Sequence, residues 1–189
     1  MATRTKTPVD RAALLRRSLL ELVAERGFRG TSMSAVAEHA GVATGTAYVH
    51  YDSKDELIVA TYVEIKADLS AAAVVGLDPS ASPDELFLHL WHNAYRHLAA
   101  DPARARYLIQ VESSPYAHEA NAQVMQRKDP LGEVSAEMAG YVVDLPQLVV
   151  WDLGFGPAIR VVADPDRALD ERQMDRLARA CLRAVKRPD

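Results

Sequence analysis

Cysteine is almost missing from this chain. Cys181 stands alone among 189 residues, so no internal disulfide can form. It falls on an apolar helical face, which predicts a packed thiol rather than a reactive one. No run of about 18 apolar residues occurs, which excludes a membrane-spanning helix and any membrane partner of that kind. The N-terminal MATRTKTPVDR is polar and basic and leads into no apolar signal core. The expected location is therefore cytoplasmic. Apolar/polar alternation bounded by hairpin turns is also lacking, as are internal repeats. What remains is helical periodicity, so the expected fold class is all-α, with about nine helices. No phosphate-binding glycine loop, nucleophile elbow or zinc spacing is present. No catalytic residue, no cofactor and no metal site is assigned.

Positive charge is scarce overall, with a net charge of −4. Its distribution is uneven. Residues 1–54 hold eight Lys/Arg against five Asp/Glu, and residues 55–189 hold 14 against 21. Phosphate contact needs a locally positive surface, not a positive whole chain.

Residues 31–54, TSMSAVAEHAGVATGTAYVHYDSK, organise this basic part. Met33 to Ala40 reads as a short helix capped by Thr31 or Ser32. Gly41 suits the left-handed residue that ends such a helix, and Val42 plugs the hinge. A second helix, about Thr44 to His50, follows. Ser53 and Glu56 form a capping box for the next helix. Two short helices joined by a glycine turn make a helix-turn-helix, which places its second helix in a DNA major groove. A preceding helix, Val9 to Arg26, presents Leu15, Leu19, Leu22 and Val23 on one stripe. Val36, Ala37, Ala40, Val42 and Ala47 are the expected inward positions. Arg4 and Lys6 are either a phosphate-touching arm or a solvated tail.

The DNA-contacting set is Thr31, Ser32, Thr44, Gly45, Thr46, Tyr48, Tyr51 and Lys54. The hydroxyls of Thr46 and Tyr48 suit phosphate oxygens, and Thr44 suits a base edge. Gly45 costs about 1 kcal/mol of helix propensity relative to Ala, a cost that close backbone approach to DNA would offset. The bland alternative is that Tyr48 packs on the first helix and Gly45 is merely tolerated.

Beyond Ser53 the pattern predicts a helix to about Val75, a loop over residues 76–82, and helices over about 83–100, 102–114, 115–128, 131–143, 145–162 and 170–186. Gly156-Pro157 predicts a break within the penultimate segment. Three histidines, His89, His92 and His97, share one helix, but no completing ligand set accompanies them. Lining a cavity or hydrogen-bonding in the core is the expected role. Glu112, Glu119 and Asp152 are isolated carboxylates without a partner arrangement for acid–base work.

Residues 15–57 resemble the DNA-binding domain of the TetR family of bacterial transcriptional repressors. The residues that carry the resemblance are Ala24 to Phe28, Thr31 to Met33, Val36-Ala37, Ala40 to Val42, Gly45-Thr46, Tyr48 and Ser53 to Leu57. Three positions depart from the pattern: Ala43 replaces the usual Ser cap, Thr44 stands where Lys or Arg is common, and Ala47 replaces a larger aliphatic residue. The resemblance implies a three-helix helix-turn-helix domain, 1–52, and a helical ligand-sensing and dimerisation domain, 53–189. Large amphipathic side chains in the second domain form the expected pocket: Trp91, Tyr95, Tyr107, Tyr116, Met125 and Tyr141. The last two helical segments, with Trp151, Phe155, Leu177 and Cys181, are the expected dimer face. The implied partners are a double-stranded DNA operator, a second copy of the chain, and a small-molecule effector of apolar or aromatic character. The expected function is a sequence-specific regulator, a repressor released from a palindromic operator by its ligand. Two alternatives remain: a DNA-binding regulator without a small-molecule effector, and an all-α enzyme.

Overall fold

The computed structural model describes residues 10–188; Arg4 and Lys6 lie outside the described residues. The chain folds as two compact units, one up to Thr61 and the other from Tyr62.

In the first unit, α1 (Arg11–Arg26) starts where the Asp10 side chain accepts the amide of Ala13. Leu15, Leu19, Leu22 and Val23 line its buried stripe. α2 (Met33–His39) and α3 (Thr44–His50) pack on it and on each other. Ser32 caps α2 by accepting the amide of Ala35 at 3.2 Å. Gly41 has φ +68°, the left-handed conformation that only glycine adopts freely. It turns the chain so that the Val42 amide reaches the Ala37 carbonyl at 2.9 Å. α4 (Lys54–Ala73) begins in this unit and continues into the next. Its capping box is shifted: Ser53 takes the amide of Glu56, while Glu56 reaches back to the amide of Asp52.

The second unit adds α5 (Pro83–Ala99), α6 (Pro102–Glu112), α7 (Ala117–Met125), α8 (Pro130–Glu137), α9 (Gln147–Gly154), α10 (Gly156–Ala163) and α11 (Glu171–Val185). The class is all-α, as expected. The described residues hold eleven α-helices rather than nine, with a single 3-10 turn at Pro165–Arg167. One reason is Pro157. It lacks an amide and its ring would clash with the carbonyl four residues back, so α9 stops at Gly154 and a separate α10 starts at Gly156. The expected 131–143 helix is also shorter. Residues 138–141 form a turn instead, and Val142 bridges antiparallel to Lys186. The Val143 amide bonds the Val185 carbonyl at 2.8 Å and the Arg187 amide bonds the Tyr141 carbonyl at 2.9 Å.

Trp91 sits at the centre of the second core, fully buried, between α5 and the α9–α10 joint. Its indole N–H donates to the Gly154 carbonyl at 3.1 Å. The broad apolar surface expected of the last two segments is one-sided on α11. Ala178, Cys181, Leu182 and Val185 point inward, while Arg172, Arg176, Arg179 and Arg183 are exposed. α9 is the helix that keeps apolar side chains outside: Leu148, Val149 and Leu153 are all exposed.

Candidate nucleic-acid interface and effector cavity

α3 presents an uncovered face. Thr44, Gly45 and Tyr48 are exposed, Thr46 is half-buried, and Val49 is 82% exposed. Only Ala47 is buried, and it anchors the helix to the unit. Tyr48 is 53% exposed, so more than half of it is open to a partner. Nothing lies within 4 Å of a Cβ added at Gly45, so no neighbour in the fold requires glycine there. Ala43 is the N-cap and makes no side-chain cap bond; Thr44 is the first helical residue and does not replace the missing cap.

Other members of the expected DNA set have partners inside the unit. Thr31 is buried, and its hydroxyl donates to the Gly27 carbonyl at 3.0 Å. Tyr51 is buried, and its hydroxyl accepts from Arg16 Nη1 at 2.6 Å. Lys54 Nζ donates to the carbonyls of Phe28 at 2.9 Å and Thr31 at 3.1 Å. That ammonium ties the start of α4 to the turn between α1 and α2. Ser32 is exposed but already serves as the cap of α2.

The second unit holds a half-open cavity of about 820 Å³. Phe87, Leu90, Leu131, Met138, Val150 and Phe155 give it apolar walls, and Lys66, Ser70, Asn121 and Asp129 give it polar points. Of the expected pocket residues only Met125 lines it. Trp91 and Tyr107 are buried core instead, with Tyr95 stacked on Trp91 at 5.5 Å. Tyr116 is half-buried at the start of α7, and Tyr141 lies under the Lys186 ammonium at 5.2 Å. Trp151, expected at the dimer face, lines the cavity too. It stacks on Phe155 at 4.7 Å, and Phe155 meets Phe87. Cys181 is buried in its own chain and burial pushes its thiol pKa up. Leu177 is half-buried.

The apolar periodicity of α4 hides a polar row. Tyr62, Lys66 and Ser70 recur at i, i+4 and i+8, on one face of the helix. Tyr62 donates to Asn121 Oδ1 at 3.1 Å and to Glu112 Oε1 at 3.3 Å. Burial, then the Glu112 charge, drives the Tyr62 phenol far above its ordinary value. Burial likewise raises the Glu112 carboxyl, against the pull of Lys66. Ser70 donates to Asp129 and accepts the Leu131 amide at 3.0 Å. Burial lowers the Lys66 amine from 10.5 to about 8, with Glu112, Asp129 and Asp152 opposing the shift. Sequence reasoning missed this row; its signal was polar residues at helical spacing inside an otherwise apolar helix.

The histidines go elsewhere. His89 Nε2 lies 2.9 Å from the Val75 carbonyl, His92 is 3.8 Å from Asp175, and His97 is 2.7 Å from Arg104 Nη1. None of the three lines the cavity.

Residues 15–61 match the family model of bacterial regulatory proteins, tetR family. The chain is 26% identical over 143 residues to an uncharacterised HTH-type transcriptional regulator of Haemophilus influenzae, covering 76% of each chain. Its fold is similar to the crystal structure of a TetR-family transcriptional regulator from Haemophilus influenzae, with a TM-score of 0.75 and 24% identity over 94% of this chain and 97% of that one. It is also similar to the transcriptional regulator FadR of Bacillus subtilis in complex with stearoyl-CoA. There the TM-score is 0.66, with 17% identity over 90% of this chain and 95% of that one.

Proposed function

We propose, from the premise that this chain belongs to the TetR family and is a DNA-binding transcriptional regulator, that it is a homodimeric repressor released from a palindromic operator by a small-molecule effector. The observation that carries the reading is the uncovered face of α3. A seven-residue helix that leaves Tyr48 and Val49 outside is held by the unit but not used by its core. Thr44, Gly45, Thr46 and Tyr48 are the groups it offers to a major groove, with Ser32 at the adjoining start of α2. Thr31, Tyr51 and Lys54 hold the reading head together from behind. The domain that reads DNA takes in residues 1–52, and residues 53–189 dimerise and sense the ligand.

Dimerisation follows from the needs of the site. Two recognition helices one DNA turn apart, about 34–36 Å, match a two-fold operator. The exposed apolar residues of α9, Leu148, Val149 and Leu153, with half-buried Leu177 on α11, which packs on α9, are the surface for a second copy. An effector is supported by the cavity, whose volume lies within the range of about 300–1,000 Å³ usual for small-molecule sites. The apolar walls, and the acyl ligand of the Bacillus subtilis neighbour, support an apolar effector. No chemical step belongs to this reading, and a cytoplasmic location goes with it.

The test is duplex binding against salt, with the operator found by selection on the purified protein. Affinity should fall steeply, with a log–log slope of about −0.9 per neutralised phosphate. Binding to no duplex at low salt refutes the reading. A sedimenting monomer on the operator refutes the dimer.

A further inference from the structure

Lys66 is a half-buried cation without a counter-ion. Among the described residues its ammonium makes no ion pair, and it lies 3.4 Å from the centroid of the Trp151 ring. The carboxylates near enough to feel it, Glu112, Asp129 and Asp152, act at a distance and form no ion pair with it. Glu112 accepts the Tyr62 hydroxyl proton. Asp129 accepts from Ser70 and from the Gly132 amide. Asp152 is exposed. Buried charges are normally paired, because desolvation costs more than distant charges return. A second donor nearby is also orphaned. The Trp151 indole N–H is buried with no acceptor, and it belongs to the ring that Lys66 covers. A third, the Asn121 amide, faces the same cavity, its oxygen held by Tyr62. An ammonium without an ion pair, an indole N–H without an acceptor and an amide side chain thus line one space. The lining also carries four cations, Lys66, Arg127, Lys128 and Arg187, against three anions, Asp129, Glu133 and Asp144. That balance runs against the acidic surplus of residues 55–189.

We propose that the effector is an amphipathic carboxylate, its carboxylate held by the Lys66 ammonium and its apolar chain by Phe87, Leu90, Leu131 and Phe155. This rests on the effector reading above and names the effector's chemical class. A carboxylate accepts from several donors at once, so it satisfies the ammonium and the Asn121 amide together.

Three probes with one twelve-carbon chain test this on the full-length protein by calorimetry: dodecanoate, dodecanol and dodecyltrimethylammonium. Dodecanoate should bind at least about tenfold more tightly than dodecanol, the worth of a charge-assisted hydrogen bond, and the trimethylammonium probe least of all. Lys66→Met should bring dodecanoate to the level of dodecanol measured on the same variant. Lys66→Arg should keep a preference for the carboxylate. Circular dichroism melting checks that each variant folds; should Lys66→Met fail to fold, the wild-type series and Lys66→Arg carry the test. Equal binding of dodecanol, preference for the cationic probe, or a carboxylate preference that survives Lys66→Met overturns the assignment. So does failure of dodecanoate to bind. Release of operator by dodecanol, without carboxylate preference, would sink the assignment and leave the effector reading standing. Failure of every ligand in a thermal-shift screen to release the operator would sink the effector reading itself.

Discussion

Gly45→Ala separates the fold from the function of α3. Glycine within a helix costs about 1 kcal/mol relative to alanine. Gly45 does not have a positive φ, so alanine fits the backbone without strain. An added Cβ has no neighbour within 4 Å. The substitution should therefore stabilise the protein, by about 0.5–1 kcal/mol given its place in the first turn. DNA should see the opposite. If the glycine is there to let the backbone of α3 approach the duplex, the new methyl group fills that approach. Overpacking of a tight contact costs about 1–3 kcal/mol, which is a loss of affinity of roughly tenfold per 1.4 kcal/mol. Urea unfolding followed by circular dichroism measures the first effect, and fluorescence anisotropy of a labelled operator duplex measures the second. Higher stability with weaker binding is the expected pair. A more stable variant that binds the operator as tightly as the wild type refutes close approach at Gly45 and leaves it a tolerated residue.

Lys54→Met should lower stability by about 2 kcal/mol, since two charge-assisted hydrogen bonds to Phe28 and Thr31 are lost from a part-buried site. The log–log salt slope of operator binding should stay the same; a fall of about 0.9 per protomer with unchanged stability would make Lys54 a phosphate contact instead. Lys66→Met should stabilise the unliganded protein at neutral pH. The amine titrates at about 8 in the fold against an ordinary 10.5, so at 1.36 kcal/mol per pKa unit its burial costs about 3 kcal/mol. Below the folded value both states hold the proton and the cost is complete. Between about 8 and 10.5 the unfolded chain holds it longer, so wild-type stability should rise relative to Lys66→Met over that window. Denaturation at fixed protein concentration, without ligand, measures the difference; a gap that does not narrow with pH contradicts the burial of a charged Lys66.

The first unit was largely legible in the sequence because its signals are local. Ser32 caps α2, Gly41 takes the left-handed turn and α3 spans the expected residues, each decided within a few positions. The orientation of single side chains was less legible. Thr31, Tyr51 and Lys54 carry hydroxyls and an ammonium suited to phosphate. The same groups suit an interior carbonyl or a guanidinium, and only tertiary placement says which is nearer. Thr31 meets the Gly27 carbonyl and Tyr51 meets Arg16, partners 4 and 35 residues away. The cavity was the least legible part. Large aromatics marked it poorly, since Trp91 and Tyr107 are just as useful as core. The polar row of Tyr62, Lys66 and Ser70 was the better signal, because two of its members, Lys66 and Ser70, line the cavity.

If the effector is the proposed carboxylate, the Lys66 charge gives it leverage. A ligand shifts an equilibrium only by its differential affinity for two states. Coupling free energies in such systems are about 1–3 kcal/mol, and the unpaired Lys66 holds a penalty of that size, about 3 kcal/mol. A carboxylate beside it removes the penalty; an uncharged chain of equal length fills the cavity but does not. Lys66 also lies on α4, the helix whose first residue, Lys54, holds the carbonyls of Phe28 and Thr31. On this account a carboxylate should release the operator more fully than the matching alcohol when both saturate the cavity. Equal release at saturation would place the leverage in chain packing instead.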